Sequence, residues 1–298
     1  MGLRGALLAA LAVVSVAFTA FWAKVLLEER RQGGDRRAAA RWPTAVELGI
    51  GFLTDFLDTL GIGSFAVTTT LFKLFKTAPD EDIPGCLNVG HAIPTFLEAF
   101  IFMAIVAVDG KTLALTIAAS VAGAWLGAGV VTELPRRKIQ IGMAAALIVA
   151  AAFFAMKNLG WFPSGGDALG LSGGKLALAC AATFVFGALM TLGIGAYAPT
   201  MILCSLLGMN PTTAFPIMMG ACAFLMPAAS VRFIRTGRYA RAPSLGLTLG
   251  GAPAVLIAAY VVKSLPLETL RWGVIAVVLY TAVTMLRSAL AEAPPKTR

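Results

Sequence analysis

Apolar stretches recur along this chain from end to end, and polar residues gather in the short gaps between them. About 20 helical residues cross the hydrocarbon core of a bilayer. Segments 3–27, 83–108, 112–134, 139–156, 214–234, 245–262 and 270–290 have about that length. Two others, 44–75 and 176–207, run to about 32 residues and are interrupted near the middle by Gly-Ile-Gly. Too little polar chain remains between segments for a separate soluble domain. The pattern predicts an all-α, polytopic protein whose main partner is the lipid bilayer.

The two interruptions are copies of one another. Thr59-Leu60-Gly61-Ile62-Gly63-Ser64-Phe65-Ala66 is matched, 132 residues on, by Thr191-Leu192-Gly193-Ile194-Gly195-Ala196-Tyr197-Ala198. At the same offset Thr68 meets Thr200 and Pro84 meets Pro216. A fixed offset linking a glycine motif, a threonine and a proline signals internal duplication. The expected organisation is an N-terminal membrane helix with a basic loop (1–42), a first repeat (43–158) and a second repeat (174–291).

Charge sets the expected topology. Only 13% of residues are charged, against about 25% in soluble domains. The net charge of +9 comes from short basic clusters between apolar segments, the positive-inside pattern rather than a nucleic-acid surface. Lys24, Arg30, Arg31, Arg36, Arg37 and Arg41 start the count in the cytoplasm. If both long segments cross the membrane, giving nine simple spans, Arg136, Arg137 and Lys138 fall outside. If each is a re-entrant hairpin turning at Gly-Ile-Gly, those three lie inside, with Arg232, Arg235, Arg238, Arg241, Arg287, Lys296 and Arg298. The charge-poor loops 158–174 and 208–213 then lie outside. Each repeat becomes a hairpin plus three crossing helices, and an odd number of crossings inverts the second repeat. Inverted repeats with broken helices are a common transporter plan. Segment 3–27 is too long for the apolar core of a signal peptide, and its cleavage would leave the basic cluster outside, so a retained helix in the cytoplasmic (inner) membrane is expected. Cys86, Cys180, Cys204 and Cys222 lie in or beside apolar segments without CxxC spacing, as buried apolar residues do.

Broken backbone at membrane depth is tolerated only in protein or beside water. Glycine suits such a turn because it allows φ > 0 and close approach of a ligand. The second half of each hairpin starts at the break, so its free N–H groups and positive dipole end are expected to meet an anion in the middle of the protein. Gly61, Gly63, Ser64, Thr68, Gly193, Gly195, Tyr197 and Thr200 are the candidate substrate contacts. Asn88, His91, Thr95 and Glu98 recur at spacings of three, four and three, which puts them on one face of a continuous helix. Asn88 joins the binding candidates. Charge at the depth of Glu98 usually faces a cavity or a partner. Asp58, His91 and Glu98 are the candidate proton-coupling groups, His91 being the chain's single histidine. Asp80, Glu81 and Asp82 are expected to cap the helix beginning near Ile83. No catalytic residue, metal site or cofactor is expected. Asp55-Phe56-Leu57-Asp58 has the spacing of a magnesium-diphosphate motif, but no second acidic motif accompanies it.

The stretch from Gly51 through Gly61-Ile62-Gly63, the stretch Ile83-Pro84-Gly85-Cys86-Leu87-Asn88-Val89-Gly90-His91-Ala92-Ile93-Pro94 and the second Gly-Ile-Gly resemble the TauE/SafE family of membrane transporters, sometimes called sulfite exporters. The likeness covers about residues 44–290. It implies movement of small sulfur oxyanions or organosulfonates, such as sulfite or a sulfoacetate-like anion, and leaves room for a homo-oligomer. No lysine or arginine inside a membrane segment is obviously placed to neutralise such an anion. A magnesium-dependent enzyme acting on a lipid diphosphate and a passive anion channel are the competing readings.

Overall fold

The computed structural model describes residues 2–31, 41–260 and 267–291. Arg36, Arg37, Lys296 and Arg298, on which the charge pattern drew, lie outside the described residues. The described chain is a bundle of α1 (Leu3–Arg31), α2 (Ala45–Thr59), α3 (Phe65–Phe75), α4 (Ile83–Gly90), α5 (Ala92–Ile105), α6 (Gly110–Val131), α7 (Arg136–Asn158), α8 (Gly173–Met190), α9 (Tyr197–Leu206), α10 (Ala214–Thr236), α11 (Arg241–Tyr260) and α12 (Leu267–Ala291). Seven of these (α1, α6, α7, α8, α10, α11 and α12) are long and apolar enough to cross a membrane, and α4 with α5 makes a bent eighth. The protein is therefore an all-α, multi-pass membrane protein.

Both long segments break at the glycine motifs, between α2 and α3 and between α8 and α9. At about 1.5 Å per residue, α2, α3 and α9 reach only ~22, ~16 and ~15 Å, short of a core about 30 Å thick. The arm α8, with 18 residues, is long enough by itself. The first arm of each hairpin packs on a helix of the other half: α2 lies along α11, and α8 along α6. Glycines make both contacts close. A methyl group at Gly51 would come 2.6 Å from the Gly246 carbonyl oxygen, and one at Gly250 would overlap the Leu48 carbonyl. Likewise Gly123 leaves no room beyond the Phe184 carbonyl, nor Gly187 beyond that of Ser120. Small residues that let backbones approach are how membrane helices gain packing contact without a hydrophobic driving force between them.

Segment 83–108 is not one helix. It bends by 44° where α4 gives way to α5 at His91. Pro94 lacks the N–H that would bond the Gly90 carbonyl. Thr248 of α11 replaces it, donating its hydroxyl to Gly90 O at 2.7 Å. The expected single polar face of Asn88, His91, Thr95 and Glu98 is thereby split between two helices.

The acidic cluster also departs from expectation. Asp82 is the N-cap of α4 but makes no side-chain cap bond. Asp80 instead ties α3 to α7, accepting from Lys73 Nζ at 2.5 Å and Gln140 Nε2 at 2.7 Å, with Arg136 at 3.5 Å. Burial pushes its carboxyl up, but these hydrogen bonds and the charges of Lys73 and Arg136 outweigh that and hold it below the ordinary carboxylate value of 3.8. A lowered carboxylate stabilises the fold above its unfolded pKa, and the effect is lost as pH falls through the folded value. Wild-type protein in detergent is expected to lose thermal stability below about pH 4. Asp80→Asn should be less stable at neutral pH and flatter across that acid limb; parallel curves for the two proteins would refute the assignment.

Candidate substrate site

The two breaks converge on one cavity. Gly63, Ser64, Phe65 and Ala66 border it from the first break, and Gly195, Ala196, Tyr197 and Ala198 from the second. Neither half-helix has a side-chain cap at its start: Ser64 before α3 and Ala196 before α9 make no capping bond. The first amides of a helix have no partner within the helix, so two such termini, with their positive dipole ends, flank the same space.

Glycine is required at the turns. Gly61, Gly63 and Gly193 have φ of +86°, +92° and +104°, a left-handed region unfavourable to side chains. A methyl group at Gly61 would also sit 2.8 Å from the Tyr197 hydroxyl. Gly195 has no neighbour within 4 Å of a built methyl group. Gly61→Ala is therefore expected to cost about 1–3 kcal/mol in stability, and Gly195→Ala within about 0.5 kcal/mol. Unfolding of the two variants in mixed micelles checks the contrast; equal losses would contradict it.

Four acidic or imidazole groups, Asp55, Asp58, His91 and Glu98, lie beside the first break. His91 Nδ1 is 2.7 Å from Asp55 Oδ1, and both side chains are fully buried. With Nδ1–H donating to the carboxylate, a neutral ring accepts at Nε2 from the Thr68 hydroxyl, 2.9 Å away. Gly251 of α11 makes room for this pair, since a methyl there would overlap Asp55 Oδ2. Asp58 Oδ2 accepts from Ser64 Oγ at 2.7 Å, and Asp58 borders the cavity. Glu98 Oε1 lies 2.7 Å from Thr59 Oγ1, which also points to the Asp55 carbonyl at 2.9 Å. Asp55 and Asp58, three residues apart, thus serve different partners.

Of the predicted contacts, Gly63, Ser64, Gly195 and Tyr197 border the main cavity together with Asp58. Gly61 lines a smaller adjoining space. Thr68 is held by His91, and Asn88 donates to the Pro84 carbonyl at 2.9 Å, within its own helix. Gly193 is packed near Leu87 and Met143. Thr200 donates to the Ala196 carbonyl and lines a separate space with Thr112, Thr116 and Thr183. His91 and Glu98 do not line the main cavity: His91 bonds Thr68, and Glu98 bonds Thr59.

Sequence reasoning left several site residues out. Asp55 is the partner of His91, and Thr95, with a buried hydroxyl lacking a hydrogen-bond partner, borders the cavity. The spacing of Thr95 with His91 and Glu98 carried that signal. Met190, Met218, Met219, Cys222 and Met226 give the cavity a sulfur-rich wall; nothing in a single apolar segment distinguishes such methionines from core.

The chain is thus a multi-pass helical membrane protein with paired helix breaks bordering one partly polar cavity. The family model for the sulfite exporter TauE/SafE matches residues 2–154, and the chain belongs to that family. The match takes in the first break, the His91 bend and the helices up to α7. No curated protein and no solved structure matches the chain.

Proposed function

We propose that this protein is a secondary transporter that moves small sulfur oxyanions or organosulfonates, sulfite or a sulfoacetate-like anion, across the cytoplasmic membrane by alternating access, with a proton carried alongside. The observation that carries this reading is the pair of uncapped half-helix termini bordering one cavity, a ready site for an anion. The repeats are read as 43–158 and 174–291, inverted, with a re-entrant hairpin in each. The exchanged packing of α2 on α11 and α8 on α6 supports that arrangement, because it pairs the first arm of each hairpin with the same helix of the opposite repeat.

Asp58 at the cavity supports the proton-coupled reading. An anion next to ionised Asp58 would be repelled, and a proton on the carboxyl removes the conflict. Hydrogen counting gives Glu98 a matching role. The Thr59 hydroxyl has one proton and two acceptors; a proton on Glu98 lets it donate to Thr59 while Thr59 donates to the main chain.

Reconstitution into liposomes tests the function. Sulfite or sulfoacetate uptake is expected to saturate, to be accelerated by substrate on the opposite side and to respond to a pH gradient. Non-saturating flux would mean a channel, and turnover of a lipid diphosphate with magnesium, without anion movement, would mean an enzyme.

A further inference from the structure

Beside the main cavity lies a small second space, lined by Gly61, Phe162, Tyr197, Met201 and Lys157. The two spaces share Ile62, Phe153, Phe154, Tyr197 and Ala198 as walls, so they adjoin. Lys157 is in the last turn of α7. Among the described residues no carboxylate lies within ion-pair distance of it, and its ammonium rests 3.9 Å from the Met201 sulfur. The next residue, Asn158, accepts from Arg271 of α12 at 3.2 Å, so a second cation stands at the same end of α7. Tyr197 is on the wall common to both spaces, and its buried hydroxyl has no hydrogen-bond partner among the described residues. Its ring is held edge-on by Phe215, with centroids 5.9 Å apart.

We propose that Lys157 forms a second anion station, an entry or exit subsite where a small oxyanion binds the ammonium and then passes Tyr197 to the central cavity. A semi-buried cation with no counter-ion among the described residues lacks the partner such groups usually have, and an oxyanion supplies it with a charge-assisted hydrogen bond. The Tyr197 hydroxyl is a donor that the same anion can use on its way. The helix charge pattern puts this end of α7 on the outer face, where the basic clusters are absent. A lysine at a helix C-terminus also favours the helix dipole, and that simpler role predicts lost stability without altered substrate affinity. The inference rests on the anion-transporter reading, but its test separates the two.

Sulfite transport is measured in proteoliposomes for wild type, Lys157→Gln and Lys157→Arg over a range of outer sulfite concentrations. Lys157→Gln is expected to raise KM about tenfold, the loss of one charged hydrogen bond, with kcat within about twofold, and Lys157→Arg to restore most of the affinity. An unchanged KM in Lys157→Gln, or a lower kcat without a change in KM, overturns the station. If wild type moves no sulfur oxyanion, the transporter reading fails, and sulfite-dependent thermal stabilisation of the purified proteins decides the station separately. Stabilisation that weakens in Lys157→Gln and returns in Lys157→Arg upholds it. Stabilisation that is equal in wild type and Lys157→Gln, or absent from both, overturns it.

Discussion

A His91→Leu protein is expected to lose about 3–5 kcal/mol of stability, the cost of leaving the buried Asp55 carboxylate without its hydrogen-bond donor. Asp55 has no exposure to solvent, and His91 holds its Oδ1 at 2.7 Å; its Oδ2 has no hydrogen-bond partner. Leucine removes this carboxylate's one donor among the described residues and offers nothing in return. Thr68 suffers less, because its hydroxyl can turn to the Ser64 carbonyl, as Thr200 turns to Ala196 in the other hairpin. Unfolding in mixed micelles measures the loss. The double variant Asp55→Leu/His91→Leu should recover part of it, since removing both partners leaves no isolated charge. A single variant as stable as wild type would mean that the pair does not hold α2 to the α4–α5 bend.

Asp58→Asn should leave the fold nearly intact and slow transport roughly a hundredfold, equivalent to about 3 kcal/mol for a charge-assisted contact at the site. Asparagine keeps the shape and an oxygen that can accept from Ser64, whose hydroxyl now lies 2.7 Å from the carboxylate. It cannot take up or release a proton. Uptake by wild type should rise with an inward proton gradient; the variant should be slow and indifferent to it. A pH jump across proteoliposomes reads both effects. A variant that keeps the wild-type response would remove Asp58 from the coupling path and leave Glu98 as the proton carrier. The asymmetry between the halves sharpens the test, because Met190 stands 132 residues after Asp58 and borders the same cavity.

Much of this architecture was legible in the chain. Long apolar runs follow from bilayer thickness, and the breaks follow from Gly61, Gly63 and Gly193, whose positive φ few other residues tolerate. The resemblance read over residues 44–290 agrees with the family that the match over 2–154 establishes. The bend at His91 was half visible, since Pro94 was in plain sight; its completion by Thr248, more than 150 residues away, was not. Asp80 read as a helix cap because local spacing allowed it, while Lys73 and Gln140 claimed it through space. Lys157 fell just past the end of a candidate span, and only the neighbouring Gly61 and Tyr197 show it to be beside a cavity.

By itself, the sequence determined the membrane class, the two broken segments, the recurrence of Gly-Ile-Gly in both and the polar residues Asp58, His91 and Glu98. These are properties of hydropathy, helical period and glycine backbone freedom, all of which act over a few residues. The tertiary structure decided that His91 pairs with Asp55, that Thr200 and Asn88 stand away from the main cavity, and that methionines and Lys157 border the open spaces. Such pairings join residues of different helices, so they depend on how close two helices pack, and here that closeness is set by glycines such as Gly51, Gly187 and Gly251 meeting a facing backbone or side chain.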